Sequence, residues 1–211
     1  MTAPLGRLHL VTDARPGRDP VRVVREALRA GHPLVVQVRV EDEVCDRDAF
    51  DLAARILELC RAAGATCLVN DRLDVALAVG ADGGHVGAED LPVGAARRVL
   101  GPRAVLGATV RDPVAARAAV AQGASYLGVG PAFRTGTKAG LPDPIGVAGI
   151  GAVAAAVDVP VIAIGGITAA RVPELAGAGA YGVAVVGAVC AAPDPAGATA
   201  ELLAALHGGG P

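Results

Sequence analysis

Short apolar runs alternate with longer amphipathic segments along the chain. The runs are rich in valine, leucine and isoleucine, which is typical of strands buried on both faces of a parallel sheet. The segments between them have the spacing of helices that bury one face. The pattern predicts eight strands, at residues 8–11, 34–39, 66–70, 83–86, 104–109, 126–130, 161–165 and 182–186.

The intervening segments carry start and stop signals for helices. Residues 19–31, 46–64 and 112–123 each begin with aspartate and end with glycine. Aspartate is a favourable N-cap, and glycine takes the left-handed conformation that closes a helix. Glycine also opens a weak repeat at helix-to-strand junctions: GAT (64–66), GAD (80–82), GAS (123–125) and GAY (179–181).

Eight strand–helix units in 211 residues predict one domain over residues 1–211, a (β/α)₈ or TIM barrel of the α/β class. No linker or low-complexity segment divides the chain. An open, doubly wound sheet is the alternative architecture. In a barrel, the chemistry lies where the strands end and the following loops begin.

Two segments invite other interpretations. GAGAYG (177–182) matches the pattern GxGxxG, but its glycines follow a helix and precede a strand, the reverse of the order in dinucleotide-binding folds. Residues 175–193 carry no charge, but they are mostly glycine and alanine, and a span needs about 20 strongly apolar residues. We expect a helix end, a turn and a buried strand there, and no membrane association.

Composition narrows the classes of function. The net charge of −2 predicts no general surface for polyanions, so any affinity for phosphate must be local. Aromatic residues make up 2% of the chain, which argues against stacking on nucleic acid. The four cysteines (45, 60, 67, 190) lack zinc or CxxC spacing, and residues 1–17 lack the apolar core of a signal peptide. We expect a cytoplasmic protein with reduced thiols; a homo-oligomer is left open.

Polar residues end most of the predicted strands. Asp71 and Asp90 follow neighbouring strands and suit Mg²⁺, which binds one or two carboxylates together with substrate phosphates. Their structural alternatives are a helix cap for Asp71 and a solvated loop acid for Asp90. Arg39, Lys138 and the glycine backbone at 165–166 suit anions. Further polar residues at strand ends are Thr12, Asp13, Gln37, Asn70, His85, Glu89 and Thr109.

The segment 130–146, GPAFRTGTKAGLPDPIG, is too long for an ordinary connection. It places Thr135, Thr137 and Lys138 almost side by side. Ordinary surface residues are the structural alternative, but the length of the loop favours a functional role.

Two polar residues inside apolar runs allow structural explanations. A buried arginine needs a partner, and for Arg39 the structural partner would be Glu41 or Asp13. We interpret His85 as a core or rim histidine, because one histidine without a visible partner is a weak sign of catalysis.

Together these segments resemble the thiamine phosphate synthase family. The motifs are VTD (11–13), VQVR (36–39), VNDRLDVALAVGADGGHVGAEDLP (69–92), GASYLGVGPAFRTGTKAG (123–140) and IAIGGI (162–167). They stand in the family's order. The resemblance implies a (β/α)₈ barrel that couples hydroxymethylpyrimidine diphosphate with thiazole phosphate, giving thiamine phosphate and diphosphate, with Mg²⁺ as cofactor.

The resemblance also implies roles for individual residues. The pyrimidine diphosphate would be held by Gln37, Arg39 and Asn70, and its diphosphate would be contacted by Lys138. Thr109 would also bind substrate, and the catalytic set would be Arg39, Lys138 and Thr109. Asp71 and Asp90 would bind magnesium. The thiazole phosphate would be received by Thr135, Thr137 and the backbone at Gly166, Val186 and Gly187. The long loop would close over the charged substrates as a lid.

Four positions depart from the family pattern. Glu41 stands where a lysine that contacts diphosphate is usual, and Thr109 replaces a serine but keeps its hydroxyl. Arg111 replaces a histidine and could supply the missing positive charge. Gly187 replaces a serine and leaves only the backbone N–H.

Two alternatives therefore stay open: a thiazole tautomerase-like isomerase and a non-catalytic barrel that binds phosphate ligands. Isomerisation needs a positioned proton carrier, and the histidine expected after strand five is Arg111 here while both magnesium acids remain, which favours the synthase.

Overall fold

Eight parallel strands close into one barrel. The computed structural model describes residues 5–31, 34–136, 140 and 142–208. The strands, β1 to β8 in chain order, are Leu8–Val11, Leu34–Val38, Thr66–Asn70, Gly83–Val86, Val105–Val110, Tyr126–Val129, Val161–Ile164 and Gly182–Val185. Each strand pairs in parallel with the next, and β8 pairs back with β1, so the predicted barrel is confirmed and the open-sheet alternative is wrong.

Helices connect the strands around the outside. The α-helices, α1 to α9 in chain order, are Pro20–Leu28, Asp46–Ala63, Leu73–Val79, Val93–Leu100, Pro113–Ala121, Gly146–Ala154, Val172–Gly177, Gly187–Cys190 and Pro195–Gly208, and a 3₁₀ helix, Ala169–Arg171, precedes α7. Asp19 and Asp112 cap α1 and α5 as predicted, by accepting from backbone N–H groups of the first turn. The expected cap at Asp46 is wrong, because Cys45 holds the N-cap position of α2.

The four predicted junction glycines all have the backbone conformation expected of them. Gly64, Gly80, Gly123 and Gly179 have φ between +67° and +102°. The chain can therefore leave each helix in the left-handed conformation and turn directly into the next strand. The GAGAYG segment runs from the end of α7 to the start of β8, which is the predicted helix-to-strand order.

The strands separate two apolar layers. Because side chains alternate along a strand, one set faces the helices and the other faces the barrel axis. The inner set forms a small cluster of its own: Val11, Val35, Leu68, Tyr126, Ile162 and Ala184. Within the described ranges, no helix is long and apolar enough to cross a membrane.

The N-terminal end of the barrel is closed by hydrogen bonds to backbone carbonyls. The Tyr181 hydroxyl donates to the carbonyl of Leu5 (2.6 Å). Arg7 donates to the carbonyls of Tyr181 and Leu206, each at 2.8 Å. These contacts fasten the segment before β1 to β8 and α9, and they leave the opposite end of the barrel as its mouth.

Candidate active site

Four polar side chains stand at consecutive strands around one part of the barrel mouth. They lie at the inward-facing positions near the ends of β2, β3, β4 and β5, and we call them the polar row: Gln37, Asn70, His85 and Thr109. Gln37 Nε2 donates to Asn70 Oδ1 at 2.6 Å. His85 Nε2 lies 2.8 Å from Thr109 Oγ1. Three members of the polar row, Gln37, Asn70 and Thr109, were predicted as substrate-binding residues, and the structure brings them together.

His85 is held from its other side by a buried tyrosine. Its Nδ1 lies 2.9 Å from the Tyr126 hydroxyl on β6. Burial lowers the pKa of His85 to about 4, against a smaller raising effect of the Asp90 carboxylate. Burial also raises the pKa of Tyr126 above its ordinary value. At neutral pH the imidazole ring of His85 is therefore neutral and the phenol of Tyr126 is protonated. The histidine is buried at the inner rim of the barrel, and its ring has two hydrogen-bond partners, Tyr126 and Thr109.

Asp71 has an unusual backbone conformation. Its φ is +62°, and it is the one non-glycine residue with positive φ among those the structure describes. Its N–H donates to the carbonyl of His85 at the end of β4 (2.8 Å). Helix α3 begins at Leu73 with Arg72 as N-cap, so Asp71 lies one residue outside the capping position. Such a strained conformation costs roughly 1–3 kcal/mol and is typical of functional sites.

Asp90 lies on the adjacent loop, between β4 and α4. Its Oδ2 accepts from the N–H of Gly87 at 2.7 Å. A cavity of about 320 Å³ beside Asp90 is lined mostly by the β4–α4 loop, the outer face of β5 and helix α5, so it lies between the barrel wall and the helices rather than in the mouth. In the parts of the chain described here, no three histidine, cysteine or acidic side chains cluster as a complete metal site. Asp71 and Asp90 follow the adjacent strands β3 and β4, and carboxylates are the ligands that Mg²⁺ takes in small number together with substrate oxygens and water.

Arg39 lies just beyond the end of β2 and is paired with an acid. Strand β2 ends at Val38, so Arg39 stands at the mouth rather than inside the strand, with 19% of its side chain exposed. Its guanidinium donates to both carboxylate oxygens of Glu41, at 3.1 and 3.4 Å. Asp13, the other expected partner, is bonded to Arg15 at 2.7 Å instead. The departure from the family pattern at Glu41 thus neutralises the arginine predicted to bind diphosphate.

The long loop after β6 is anchored at its base to β7. The N–H groups of Ala132 and Phe133 donate to the carbonyls of Ile164 and Gly165, at 2.7 and 3.0 Å. The loop surrounds a cavity of about 460 Å³ lined by Pro131, Phe133, Arg134, Thr135, Gly136, Pro142, Asp143 and Pro144. The predicted residue Thr135 faces this cavity, whereas Thr137 and Lys138 lie outside the described residues.

Arg111 also holds this loop. Its guanidinium donates to the carbonyl of Gly130 at 3.3 Å and to the carbonyl of Asp143. These two carbonyls belong to the two ends of the loop, so Arg111 ties them together after β5. The expectation that Arg111 replaces the lost lysine charge stays untested, since its donors are committed to the loop in this structure.

The turn after β7 presents backbone rather than side chains. Gly165 and Gly166 have φ of +98° and +65°. A Cβ atom on Gly166 would lie 2.5 Å from the carbonyl oxygen of Arg134. Arg171 donates to the carbonyl of Gly166 at 2.6 Å and stacks over the ring of Phe133, 4.2 Å from its centroid. Only glycine fits this turn, and Arg171 fixes its orientation.

The backbone predicted to bind phosphate at Val186 and Gly187 directly follows β8, the strand next to β7. Val186 is the N-cap of α8, which begins at Gly187. Strands β7 and β8 are paired, with Ile164 opposite Ala184. The backbone at Gly166, Val186 and Gly187 is therefore on one part of the mouth, as the resemblance implies for a phosphate.

The comparison with known proteins settles the family. The model for thiamine monophosphate synthase matches residues 8–189. The chain belongs to this family. The motif resemblance found in the sequence is thereby confirmed, and it extends over the whole barrel from β1 to α8.

Individual relatives agree with the family match. The thiamine-phosphate synthase of Salinispora tropica is 68% identical over 203 residues, which cover 96% of this chain and 98% of the relative. That of Moorella thermoacetica is 47% identical over 186 residues, 88% of each chain. The solved structure of thiamine phosphate pyrophosphorylase from Pyrococcus furiosus superposes with a TM-score of 0.87 at 36% identity, covering 96% of both chains.

Sequence reasoning missed Tyr126 and Arg171. The one available signal for Tyr126 was a pair of glycines inside strands, Gly107 and Gly128, which leave room beside a bulky neighbour. A Cβ on Gly107 would lie 2.2 Å from Cζ of Tyr126. Arg171 gave no signal, because its stack on Phe133 joins two loops that are distant in sequence.

Proposed function

We propose that the protein is a thiamine phosphate synthase. It couples hydroxymethylpyrimidine diphosphate with thiazole phosphate and releases diphosphate. The observation that carries this proposal is 68% identity across 96% of the chain to a thiamine-phosphate synthase. The placement of Gln37, Asn70 and Thr109 in one row beside two acidic loops supports it.

The reaction needs departure of a leaving group and capture of a cation. The bond between the pyrimidine methylene carbon and the diphosphate oxygen breaks, and the thiazole nitrogen then supplies the electron pair of the new carbon–nitrogen bond. Little proton transfer is required, so the protein contributes mainly proximity and stabilisation of the leaving charge. Gln37 and Asn70 would hold the pyrimidine substrate, and Thr109 would donate a hydrogen bond to the departing diphosphate.

Magnesium is part of the proposal. The hard carboxylate oxygens of Asp71 and Asp90, on adjacent loops, would hold it together with the substrate. When bound, Mg²⁺ would neutralise charge on the leaving diphosphate. Arg39 would add to this neutralisation once it exchanges Glu41 for a diphosphate oxygen.

The second substrate would bind on the opposite part of the mouth. Backbone N–H groups at Gly166 and at Val186–Gly187 would receive the thiazole phosphate, since glycine lets a backbone donor approach phosphate closely. Thr135 on the loop after β6 would add a hydroxyl. Closure of that loop would exclude water, which otherwise competes with the thiazole for the cation.

One observation favours a second candidate, the non-catalytic phosphate-binding barrel. The pairing of Arg39 with Glu41 removes a cation that the diphosphate would otherwise meet. In this alternative, phosphorylated ligands bind at the glycine backbone and no product forms. No comparable observation favours the isomerase, since Arg111 is engaged with loop carbonyls and His85 is buried and neutral.

A single assay separates these functions. Purified protein is mixed with both substrates, with Mg²⁺ or with a chelator, and thiamine phosphate is measured by chromatography. We expect product with Mg²⁺ and none with the chelator. No product despite ligand-induced thermal stabilisation would contradict the synthase and favour the binding protein. Product in the sample with chelator would support the synthase function but contradict the assignment of Asp71 and Asp90 as magnesium ligands.

A further inference from the structure

We propose that Tyr126 and His85 are positioning residues that set the direction of the Thr109 hydroxyl hydrogen. Two successive hydrogen bonds, from Tyr126 to His85 and from His85 to Thr109, fix one proton order, and that order makes Thr109 a donor toward the mouth of the barrel. The inference rests on the proposed function for the identity of the acceptor, a diphosphate oxygen. It adds two residues whose side chains act through Thr109 rather than on the substrate.

The first step is the phenol. Tyr126 is 1% exposed, and among the described residues its hydroxyl has one hydrogen-bond partner, His85 Nδ1 at 2.9 Å. If Nδ1–H donated to the phenol oxygen, the phenol O–H would be buried without an acceptor, which is strongly unfavourable. The phenol therefore donates to Nδ1. His9 also borders the phenol, with ring centroids 5.0 Å apart, but its Nε2 makes no hydrogen bond in the described structure.

The second step is the tautomer of His85. His85 is 7% exposed, and its Nδ1, as the acceptor of the phenol hydrogen, carries no hydrogen of its own, so the ring has one N–H. With Nδ1 as acceptor, the hydrogen is on Nε2, which lies 2.8 Å from Thr109 Oγ1. Nε2 therefore donates to the threonine oxygen.

The third step is the hydroxyl of Thr109. Because its oxygen accepts from His85, its own hydrogen points away from the ring. Thr109 stands at the inward-facing position near the mouth end of β5, opposite Gly128 on β6 and in the polar row, on the side where the diphosphate is expected. A hydroxyl hydrogen aimed there can stabilise the charge that grows on the leaving oxygen. In the opposite proton order, the Thr109 hydroxyl would donate to His85 and its oxygen lone pairs would face the diphosphate anion.

Two glycines, Gly107 on β5 and Gly128 on β6, leave space for the side chains of Tyr126 and His85. A Cβ on Gly107 would lie 2.3 Å from His85 Nδ1. A Cβ on Gly128 would lie 3.0 Å from His85 Cε1. Glycine weakens a strand, so its presence at both positions is explained by the space that the Tyr126–His85 pair occupies.

The proton order is tested first, without substrate. Protein with ¹⁵N-labelled histidine is examined at neutral pH by NMR, with His85 assigned through a His85→Gln sample. We expect the Nε2–H tautomer. A Tyr126→Phe variant should lose this preference and populate the Nδ1–H form. A wild-type spectrum showing Nδ1–H or the imidazolium would overturn the proposal, whatever the enzyme does.

Kinetics test the consequence for Thr109. Tyr126→Phe should lower kcat by roughly three- to tenfold, the value of one hydrogen bond, with little change in KM. His85→Gln, whose amide N–H can replace Nε2–H, should retain more activity than His85→Leu. The matched control is Tyr181→Phe, which removes a phenol hydrogen bond at the opposite end of the barrel.

A double-mutant cycle separates positioning from simple stability. In a Thr109→Val background, Tyr126→Phe should have no further effect on kcat, because its only route to the substrate has been removed. Full additivity of the two substitutions would contradict the proposed coupling of Tyr126 to Thr109 through His85. Equal kinetics of the Tyr126→Phe and Tyr181→Phe enzymes would also contradict it. If the wild-type protein makes no thiamine phosphate, the proposed function fails, and the NMR result alone decides the proton order.

Discussion

The two parts of the barrel mouth present different kinds of hydrogen-bonding groups. On β2 to β5 the polar row presents side chains: an amide pair, Gln37 and Asn70, and a histidine–hydroxyl pair, His85 and Thr109. On β7 and β8 the chain presents only backbone, at two sites that we call the glycine turns: Gly165–Gly166 and Gly187. The chemistry expected at each part accounts for the difference.

A leaving diphosphate changes its charge during the reaction, whereas the thiazole phosphate does not. Stabilising a growing charge needs donors with a fixed direction, and side chains locked by further hydrogen bonds supply them. Holding a constant charge needs close approach, which backbone N–H groups without a neighbouring Cβ supply. The polar row should therefore control turnover, and the glycine turns should control binding of the second substrate.

The largest expected effect is on turnover, from the acids beside the polar row. Asp90→Asn and Asp71→Asn should each lower kcat/KM by roughly 10²–10³, the usual cost of removing one group that stabilises leaving charge. Activity at saturating Mg²⁺ is the measurement. The control is Asp158→Asn, an exposed acid just before β7 at the closed end of the barrel. Equal activity of the Asp90 and Asp158 variants would remove the metal assignment.

The next effect belongs to the glycine turns. Gly166→Ala should lower the free energy of unfolding by about 1–3 kcal/mol, because alanine is strained at φ +65° and its Cβ meets Arg134. The KM of this variant for thiazole phosphate should rise, while its KM for hydroxymethylpyrimidine diphosphate should change little. Gly177→Ala in α7, with open space around the added Cβ, is the control for stability. A rise in both KM values would show that the two parts of the mouth are not independent.

Acid sensitivity should come from two buried histidines, His9 on β1 and His85 in the polar row. Burial lowers the pKa of His9 to about 3 and that of His85 to about 4. As the pH falls below about 6.5, the unfolded chain takes up these protons before the folded protein does. The free energy of unfolding should therefore fall between pH 6.5 and 4, by up to about 1.4 kcal/mol per pH unit for each ring.

Urea unfolding across this range measures the effect. His9→Leu removes one of the two rings together with its hydrogen bond to the backbone of Gly6, so the pH dependence rather than the absolute free energy of unfolding is compared. The variant should show a shallower dependence on pH than the wild-type protein. Identical slopes would mean that His9 is protonated in the folded state or that another group dominates.

The smallest effect is expected at Glu41. Glu41→Gln should lower the KM for the diphosphate substrate by about fivefold or less, because a partly exposed ion pair is worth no more than about 1 kcal/mol. The free arginine would then meet the diphosphate without exchanging partners. Glu26→Gln, which breaks an exposed pair with Arg29 on α1, is the matched control. An increased KM would show that Glu41 itself assists binding.

The strands could be predicted from the sequence almost residue by residue. β3 was predicted at its observed bounds, and β2 and β5 each within one residue, since buried parallel strands are continuous apolar runs between polar segments. The polar members of such runs, Gln37 and Asn70, were visible for the same reason. A polar residue facing the inside of a barrel stands out against valine and leucine.

The partners of these residues could not be predicted in the same way. His85 and Tyr126 are separated by 41 positions, and their bond depends on the barrel's register and on the space at Gly107. Glu41 was one of two expected partners for Arg39, and only the geometry chose between them. The left-handed φ of Asp71 also has no sequence signal, because aspartate usually takes other conformations.

The central claim is that the two parts of the mouth hold two different phosphate groups. A crystal structure with inorganic diphosphate, Mg²⁺ and thiazole phosphate tests it most directly, because this combination cannot react. We predict diphosphate beside Thr109 with the metal on Asp71 and Asp90, and the thiazole phosphate on the backbone of Gly166 and Gly187. Diphosphate bound at the glycine turns, or a metal bound elsewhere, would contradict the account.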